Sequence, residues 1–369
     1  MSNNNDFKPQ IRFKEFTNAW VQDKVGDIFK VTNGKTLNIS ELKFKKQGAF
    51  IFPVYSSSTI GSGIIGYTNT YLFEKAITWS TDGYVGNLKF RQEKFFATGH
   101  CGVLLSDKKV GFSLAHAIDK NAYKYVKGGA IPTLKNVDMY SVLFKHPNNS
   151  KEEAKISSLI SNINSSIALL QRKLEKMKNI KEFLLKKMFV SGQAQFPEIR
   201  FKEFTNPWVQ QEINKLLFNK TSLVKVVTKN DLIGSPIYQQ GANEIFGYSL
   251  NKGYYVDFKS VLLFGDHTFS LTLPKTSFFI KGDGIKVLKS YDKDVNFIYF
   301  SIKSKGLKSI GYRRHFNLLK EMFIGTSKFE EETKITLFFK KLESSIALLQ
   351  RKIEKLENIK STLLNKMFV

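Results

Sequence analysis

The 369-residue chain carries one cysteine, Cys101, so it forms no internal disulfide and fits a reducing compartment. No paired base is evident nearby, and Cys101 reads as a buried thiol. The five histidines, His100, His116, His146, His267 and His315, fall at no metal-ligating spacing, and no glycine-rich phosphate loop with its lysine is present. His100 and Cys101 are neighbours on a strand and point to opposite faces, which favours a structural role over a catalytic pair. No apolar run approaches the roughly 18 to 20 residues of a bilayer span, and the opening MSNNNDFK has no apolar signal core. A soluble, cytoplasmic protein without membrane attachment is the expectation.

Acidic side chains are also scarce: 32 Asp and Glu face 57 Lys and Arg, a net charge of +25. Such an excess attracts polyanions, above all nucleic acid, although an anionic membrane surface satisfies the same arithmetic. Residues 1–150 carry a net +9 and residues 191–325 a net +8, so two large blocks share it evenly. A hydrophobic content of 42% and an aromatic content of 14% exclude a disordered chain.

What the sequence has is repetition. SSIALLQRKLEKMKNIKEFLLKKMFV at 165–190 returns as SSIALLQRKIEKLENIKSTLLNKMFV at 344–369, and PQIRFKEFTNAWVQ at 9–22 returns as PEIRFKEFTNPWVQ at 197–210. A whole unit is duplicated, with ends held alike and middles diverged. Ile156, Ile160, Ile163, Ile167, Leu170, Leu174 and Met177 form a heptad seam that Ile335, Phe339, Leu342, Ile346, Leu349, Ile353 and Leu356 repeat. Each seam then takes a three-residue step and is expected to continue through Ile180, Leu184 and Met188 or Ile359, Leu363 and Met367. Ser150 with Glu153 and Ser327 with Glu330 read as capping boxes. Two helices of about 38 to 40 residues, roughly 57 to 60 Å long, are predicted. Pairing them antiparallel buries both seams. The middle blocks, with short runs such as AFIFPVY, SVLLF and TSFFI, read as mixed strand and loop. The fold class is α+β: two globular mixed α/β domains joined by two long antiparallel coiled-coil helices with a pseudo-twofold repeat. The boundaries are 1–150, 151–190 for the first helix, 191–326, and 327–369 for the second.

Two loop pairs stand out as candidate readers of a polyanion. STDGYVGN at 80–87 sets Ser80, Thr81, Asp82 and Tyr84 between glycines, and FGDHTFS at 264–270 sets His267 and Thr268 in the matching slot. Such side chains suit hydrogen bonding to base edges, though an ordinary strand turn fits equally. KGGAIPTL at 127–134, with Lys127, and GYRRHFN at 311–317, with Tyr312, Arg313, Arg314 and His315, lie shortly before each long helix. Arginine forks grip phosphate or pair with guanine, and a solvated turn is the alternative. Lys89 and Arg91, and Lys303, Lys305 and Lys308, complete the basic candidates as phosphate contacts. Gln171, Arg172 and Lys173 recur as Gln350, Arg351 and Lys352, a solvated helix face or a surface that binds one partner twice.

These features, the two repeats above all, resemble the specificity subunit of type I restriction-modification systems over nearly the whole chain. The resemblance implies a non-catalytic chain whose two target-recognition domains each read one half of a bipartite, asymmetric site in double-stranded DNA. The helices would set the spacer and dock two modification subunits that methylate adenine N6. It places no cofactor in this chain: S-adenosylmethionine belongs to the modification subunits, and ATP and magnesium to the two restriction subunits of the full complex. A coiled-coil adaptor presenting two ligand-binding modules to protein or glycan partners stays open as the alternative.

Overall fold

The computed structural model describes residues 7–57, 63–107, 110–221, 224–227, 230–241, 243–282, 284–306, 311 and 313–369. These fall into two compact units, 1–170 with 352–369 and 171–351, so each of the two longest helices contributes one part to each unit.

Unit 1 comprises β1 (Val21–Lys24), α1 (Val25–Ile28), β2 (Lys30–Asn33), β3 (Phe52–Tyr55), β4 (Ile64–Thr68), β5 (Ala76–Ser80), β6 (Gly86–Arg91), β7 (Phe96–Ala97), β8 (Cys101–Leu105), α2 (Phe112–Ala122), α3 (Asn136–Tyr140), β9 (Leu143–His146) and the start of α4 (Ser150–Lys187). Its strands form three sheets, β2-β8-β5-β6, β4-β3-β7 and β1-β9. Unit 2 comprises the rest of α4, then β10 (Val209–Glu212), α5 (Ile213–Leu216), β11 (Leu217–Asn219), β12 (Ser235–Tyr238), β13 (Ile245–Ser249), β14 (Val261–Gly265), β15 (Ser270–Thr272), β16 (Phe279–Ile280), β17 (Ile285–Ser290), α6 (Val295–Ser304), α7 (Phe316–Lys320), β18 (Phe323–Thr326) and most of α8 (Phe329–Lys366). Its sheets, β11-β17-β14-β15, β13-β12-β16 and β10-β18, repeat those of unit 1 strand for strand.

The central strands β5 (AITWS) and β14 (VLLFG) are buried along their whole length, as expected of apolar runs covered on both faces. One core in unit 1 joins Trp20, Ile77, Trp79, Leu114 and Phe144 to Ile156 and Ile160 of α4 and to Met367 and Phe368 after α8. Its counterpart in unit 2 joins Trp208, Leu262, Phe264, Phe297 and Phe300 to Leu185, Met188 and Phe189 at the end of α4 and to Ile335 and Phe339 early in α8. Within each unit, therefore, the start of one long helix meets the end of the other, and the two run antiparallel. Lys181 and Glu343 form an ion pair between them in unit 2.

Two expectations need correction. Ile180 and Ile359 leave the seam and are each 40% exposed. Two successive three-residue steps rotate a side chain about 120° short of the apolar stripe. The capping boxes do not form either: Ser150 is already helical, and Asn149 Oδ1 accepts from the Lys151 N–H at 2.9 Å. Ser327 lies two residues before α8, and its N–H donates to Glu332 Oε1 at 2.9 Å.

Candidate nucleic-acid interface

In unit 1 the chain leaves β5 through Thr81–Val85, with Gly83 and Gly86 in the left-handed region that glycine adopts without strain. The 127–134 loop is stitched to this turn: the Leu134 N–H donates to Thr81 O at 2.9 Å, and the Gly83 N–H donates to Pro132 O at 3.1 Å. Two stretches far apart in sequence thus make one surface. Ser80 and Thr81 are buried and hold that surface from below. Ser80 Oγ donates to Asp82 O at 2.9 Å, and Thr81 Oγ1 donates to His100 O at 3.0 Å. What faces outward is Asp82, paired at 2.6 Å with Nδ1 of His100, and Tyr84. The His100 side chain is 72% exposed, so it and Cys101 face opposite sides, as expected of neighbouring residues. Cys101 beside it is buried, and desolvation pushes its thiol up to about 12, so the chemistry of this pair lies with the histidine alone. Lys127 pairs with Asp138 at 2.7 Å.

Arg91 drops out of the interface: its guanidinium lies 3.6 Å over the Tyr55 ring and Nε donates to Thr78 Oγ1 at 3.1 Å. Burial lowers its pKa, as it does for the half-buried Lys89, which also feels Arg91. A cross-strand bond to Thr78 holds Arg91, and strand pairing was not visible from composition.

Unit 2 builds the same stitch from different residues. Asp266, the first residue after β14, is buried, and its Oδ1 accepts from the N–H groups of His315 at 2.9 Å and Phe316 at 2.8 Å. His315 is buried too and donates from Nδ1 to Asp266 O at 2.9 Å. It is therefore a fastener of the turn, while Arg313 and Arg314 are exposed beside it. The His267 N–H donates to Gln240 Oε1 at 3.0 Å, and Thr268 Oγ1 lies 2.9 Å from Ser270 Oγ. Lys305 is corrected as a phosphate contact: Nζ donates to Val190 O at 3.1 Å beyond the end of α4, and desolvation lowers its pKa. Lys303 packs 4.7 Å over Tyr299. Lys308 and Tyr312 lie outside the described residues.

Gln171, Arg172, Lys173, Gln350, Arg351 and Lys352 are all exposed. Sequence reasoning missed a twin joint at the starts of the long helices. Glu152, buried, accepts from Arg12 Nε at 2.6 Å and Nη2 at 2.8 Å and from Trp20 Nε1 at 3.3 Å. Glu331, equally buried, accepts from Arg200 at 2.7 and 2.8 Å and from Trp208 at 3.1 Å. The signal was available, since arginine and tryptophan recur in both short repeats and a glutamate recurs 179 residues on. Among the described residues no His, Cys, Asp and Glu cluster could hold a metal ion, and no helix is long and apolar enough to cross a membrane.

The model for the type I restriction modification DNA specificity domain matches residues 18–179. A protein of Mycoplasma pneumoniae (strain ATCC 29342 / M129 / Subtype 1) named as a type I specificity subunit is 36% identical over 117 residues, 30% of this chain and 37% of its own length. A second of that name from the same strain is 29% identical over 157 residues, 42% of each chain. The matched stretches thus span well under half of these relatives. In fold the likeness is longer: the crystal structure of a type I restriction-modification S subunit from M. genitalium covers 98% of this chain and 99% of its own, with a TM-score of 0.71 at 15% identity. The duplicated α+β units, the antiparallel long helices and these likenesses agree: residues 18–179 match the type I restriction modification DNA specificity domain, and over nearly its whole length the chain is similar in fold to a type I S subunit.

Proposed function

We propose that this chain is the non-catalytic DNA-reading subunit of a type I restriction-modification complex. Each unit reads one half of a bipartite, asymmetric site, and the long helices fix the unread spacer. The observation that carries this reading is the pair of stitched turns, which share one backbone plan and present different side chains: Asp82, Tyr84 and His100 in one, Arg313 and Arg314 in the other. A common frame with exchanged polar tips is what reading two different sequences requires, because base edges in the major groove are told apart by donors and acceptors. The net charge of +25 supplies the sequence-independent attraction.

The exposed, repeated Gln171–Lys173 and Gln350–Lys352 faces support docking of two copies of one modification subunit. Those subunits would bind S-adenosylmethionine and methylate adenine N6, one on each strand, since base chemistry needs a pocket for a flipped base. ATP and magnesium would act in two restriction subunits. The test is to express the chain with its modification subunit in a methylation-free host and map N6-methyladenine. A split motif that vanishes when this chain is omitted is the expected result; an intact complex that methylates nothing refutes it. Arg313→Ala with Arg314→Ala should weaken duplex binding and flatten its salt dependence.

A further inference from the structure

From the His100–Asp82 pair we infer that His100 is a base-reading residue of unit 1 and that Asp82 is the positioning residue that decides which base it reads. This rests on the DNA-reading function proposed above. The two side chains come from opposite sides of the turn, Asp82 after β5 and His100 before β8, and meet at 2.6 Å. Their backbones are fixed independently of the contact: Thr81 N–H and Oγ1 both bind His100 O, and Asp82 bridges Thr133 in the stitched loop. A polar pair this exposed contributes little to stability, yet every neighbouring bond holds it in place.

The carboxylate fixes the chemistry of the ring. It accepts from Nδ1–H, which leaves Nε2 as the ring atom available to a ligand. In the neutral imidazole that atom is an acceptor and complements the amino group of adenine N6 or cytosine N4. Asp82→Asn offers Nδ1 a donor in place of the carboxylate. The opposite tautomer then becomes accessible, Nε2 carries the proton, and the complement becomes an acceptor, guanine O6 or N7, thymine O4 or adenine N7, while cytosine N4 is no longer matched. The pair thus behaves as a base selector set by one side-chain atom. In unit 2 the histidine and acid of the stitch, His315 and Asp266, are both buried.

The test is selection from a randomised duplex DNA library by the purified full chain in complex with its modification subunits, with melting measured for every variant. His100→Ala should lose about tenfold discrimination, the worth of one hydrogen bond, at one position of one half-site. Asp82→Asn should shift or relax the preference at that same position, and the other half-site should be unchanged. His100→Gln, which keeps an acceptor of similar reach, should recover part of it. An unchanged motif in His100→Ala, or a loss spread evenly over the half-site, overturns the inference while leaving the DNA-reading function standing. A wild-type complex that enriches no motif refutes that function itself.

Discussion

Both units place an acid and a histidine at the turn after the central strand, and the two pairs do opposite work. In unit 2 Asp266 is buried, caps the N–H groups of His315 and Phe316, and is part of the fold. In unit 1 Thr81 takes the place after the strand, and the acid one residue on, Asp82, is turned outward to an exposed His100. The same residue types are a fastener in one copy and a presented surface in the other. By contrast, the joints at the helix starts are alike down to their donors: Arg12 and Trp20 on Glu152, Arg200 and Trp208 on Glu331. The turns have diverged both in what fastens them and in what they present, while the joints that hold the starts of the long helices have stayed the same.

The largest effects should come from breaking what the copies share. Glu331→Ala removes the buried carboxylate that Arg200 and Trp208 share and leaves Arg200 only the Asn206 carbonyl. A loss of about 3 to 5 kcal/mol is expected, seen as a melting point lower by about 10 °C. Glu152→Ala should cost a similar amount; unequal losses would show that the joints are alike in geometry only. The turns should then separate the copies. Asp266→Ala removes the side-chain acceptor of the Phe316 N–H and one of the two acceptors of the His315 N–H, which keeps Asp266 O at 2.8 Å, and should cost about 1 to 3 kcal/mol. Asp82→Ala should change stability by less than about 0.5 kcal/mol in denaturant unfolding. Equal losses at the two aspartates would erase the distinction between fastener and presented side chain.

How much of this was legible follows from the range of the interactions. The duplication, the long helices and their antiparallel pairing were legible because repeats and heptads are local patterns whose burial has one economical solution. The stretches at 80–87, 127–134, 264–270 and 311–317 could be named, but not that each pair is stitched into one surface, since that depends on backbone bonds across about 50 residues. Arg91 and Lys305 were misread for the same reason: a basic side chain looks free until the Tyr55 ring or the Val190 carbonyl it meets is known. His100 was dismissed on strand geometry, yet it sits in the turn before β8 and not within the strand.

Acid should also tell the units apart. His116 on α2 faces Leu364 O at 3.3 Å, the Phe368 ring, Asp119, Lys120 and Lys360, and desolvation lowers its pKa from 6.5. The unfolded chain therefore takes up this proton first. The stability contributed by the neutral ring is complete above about pH 6.5 and is lost as pH falls toward the lower folded value. His116→Gln should reduce the difference in melting point between pH 7.5 and pH 5.5; a slope identical to wild type would show that the ring is not what acid acts on. The corresponding helix of unit 2, α6, carries no histidine, so this part of the acid response belongs to the docking of α2 on the end of α8.

The smallest effects belong to an apolar position that both long helices keep and leave equally exposed. Ile163 is buried in the seam, while Ile180 and Ile359 are each 40% exposed. Ile163→Asp puts an unpaired charge among apolar side chains and should cost several kcal/mol, at the scale of the helix joints. Ile180→Asp and Ile359→Asp should each cost under about 1 kcal/mol, because the new carboxylate reaches water. Apolar residues kept at two equivalent exposed positions add little to the fold of the chain by itself. If both variants melt like wild type yet fail to hold the modification subunit in size-exclusion chromatography, the pair marks a surface used twice by one partner. If both also retain the subunit, the repeat at these positions reflects the shared origin of the two helices and nothing more.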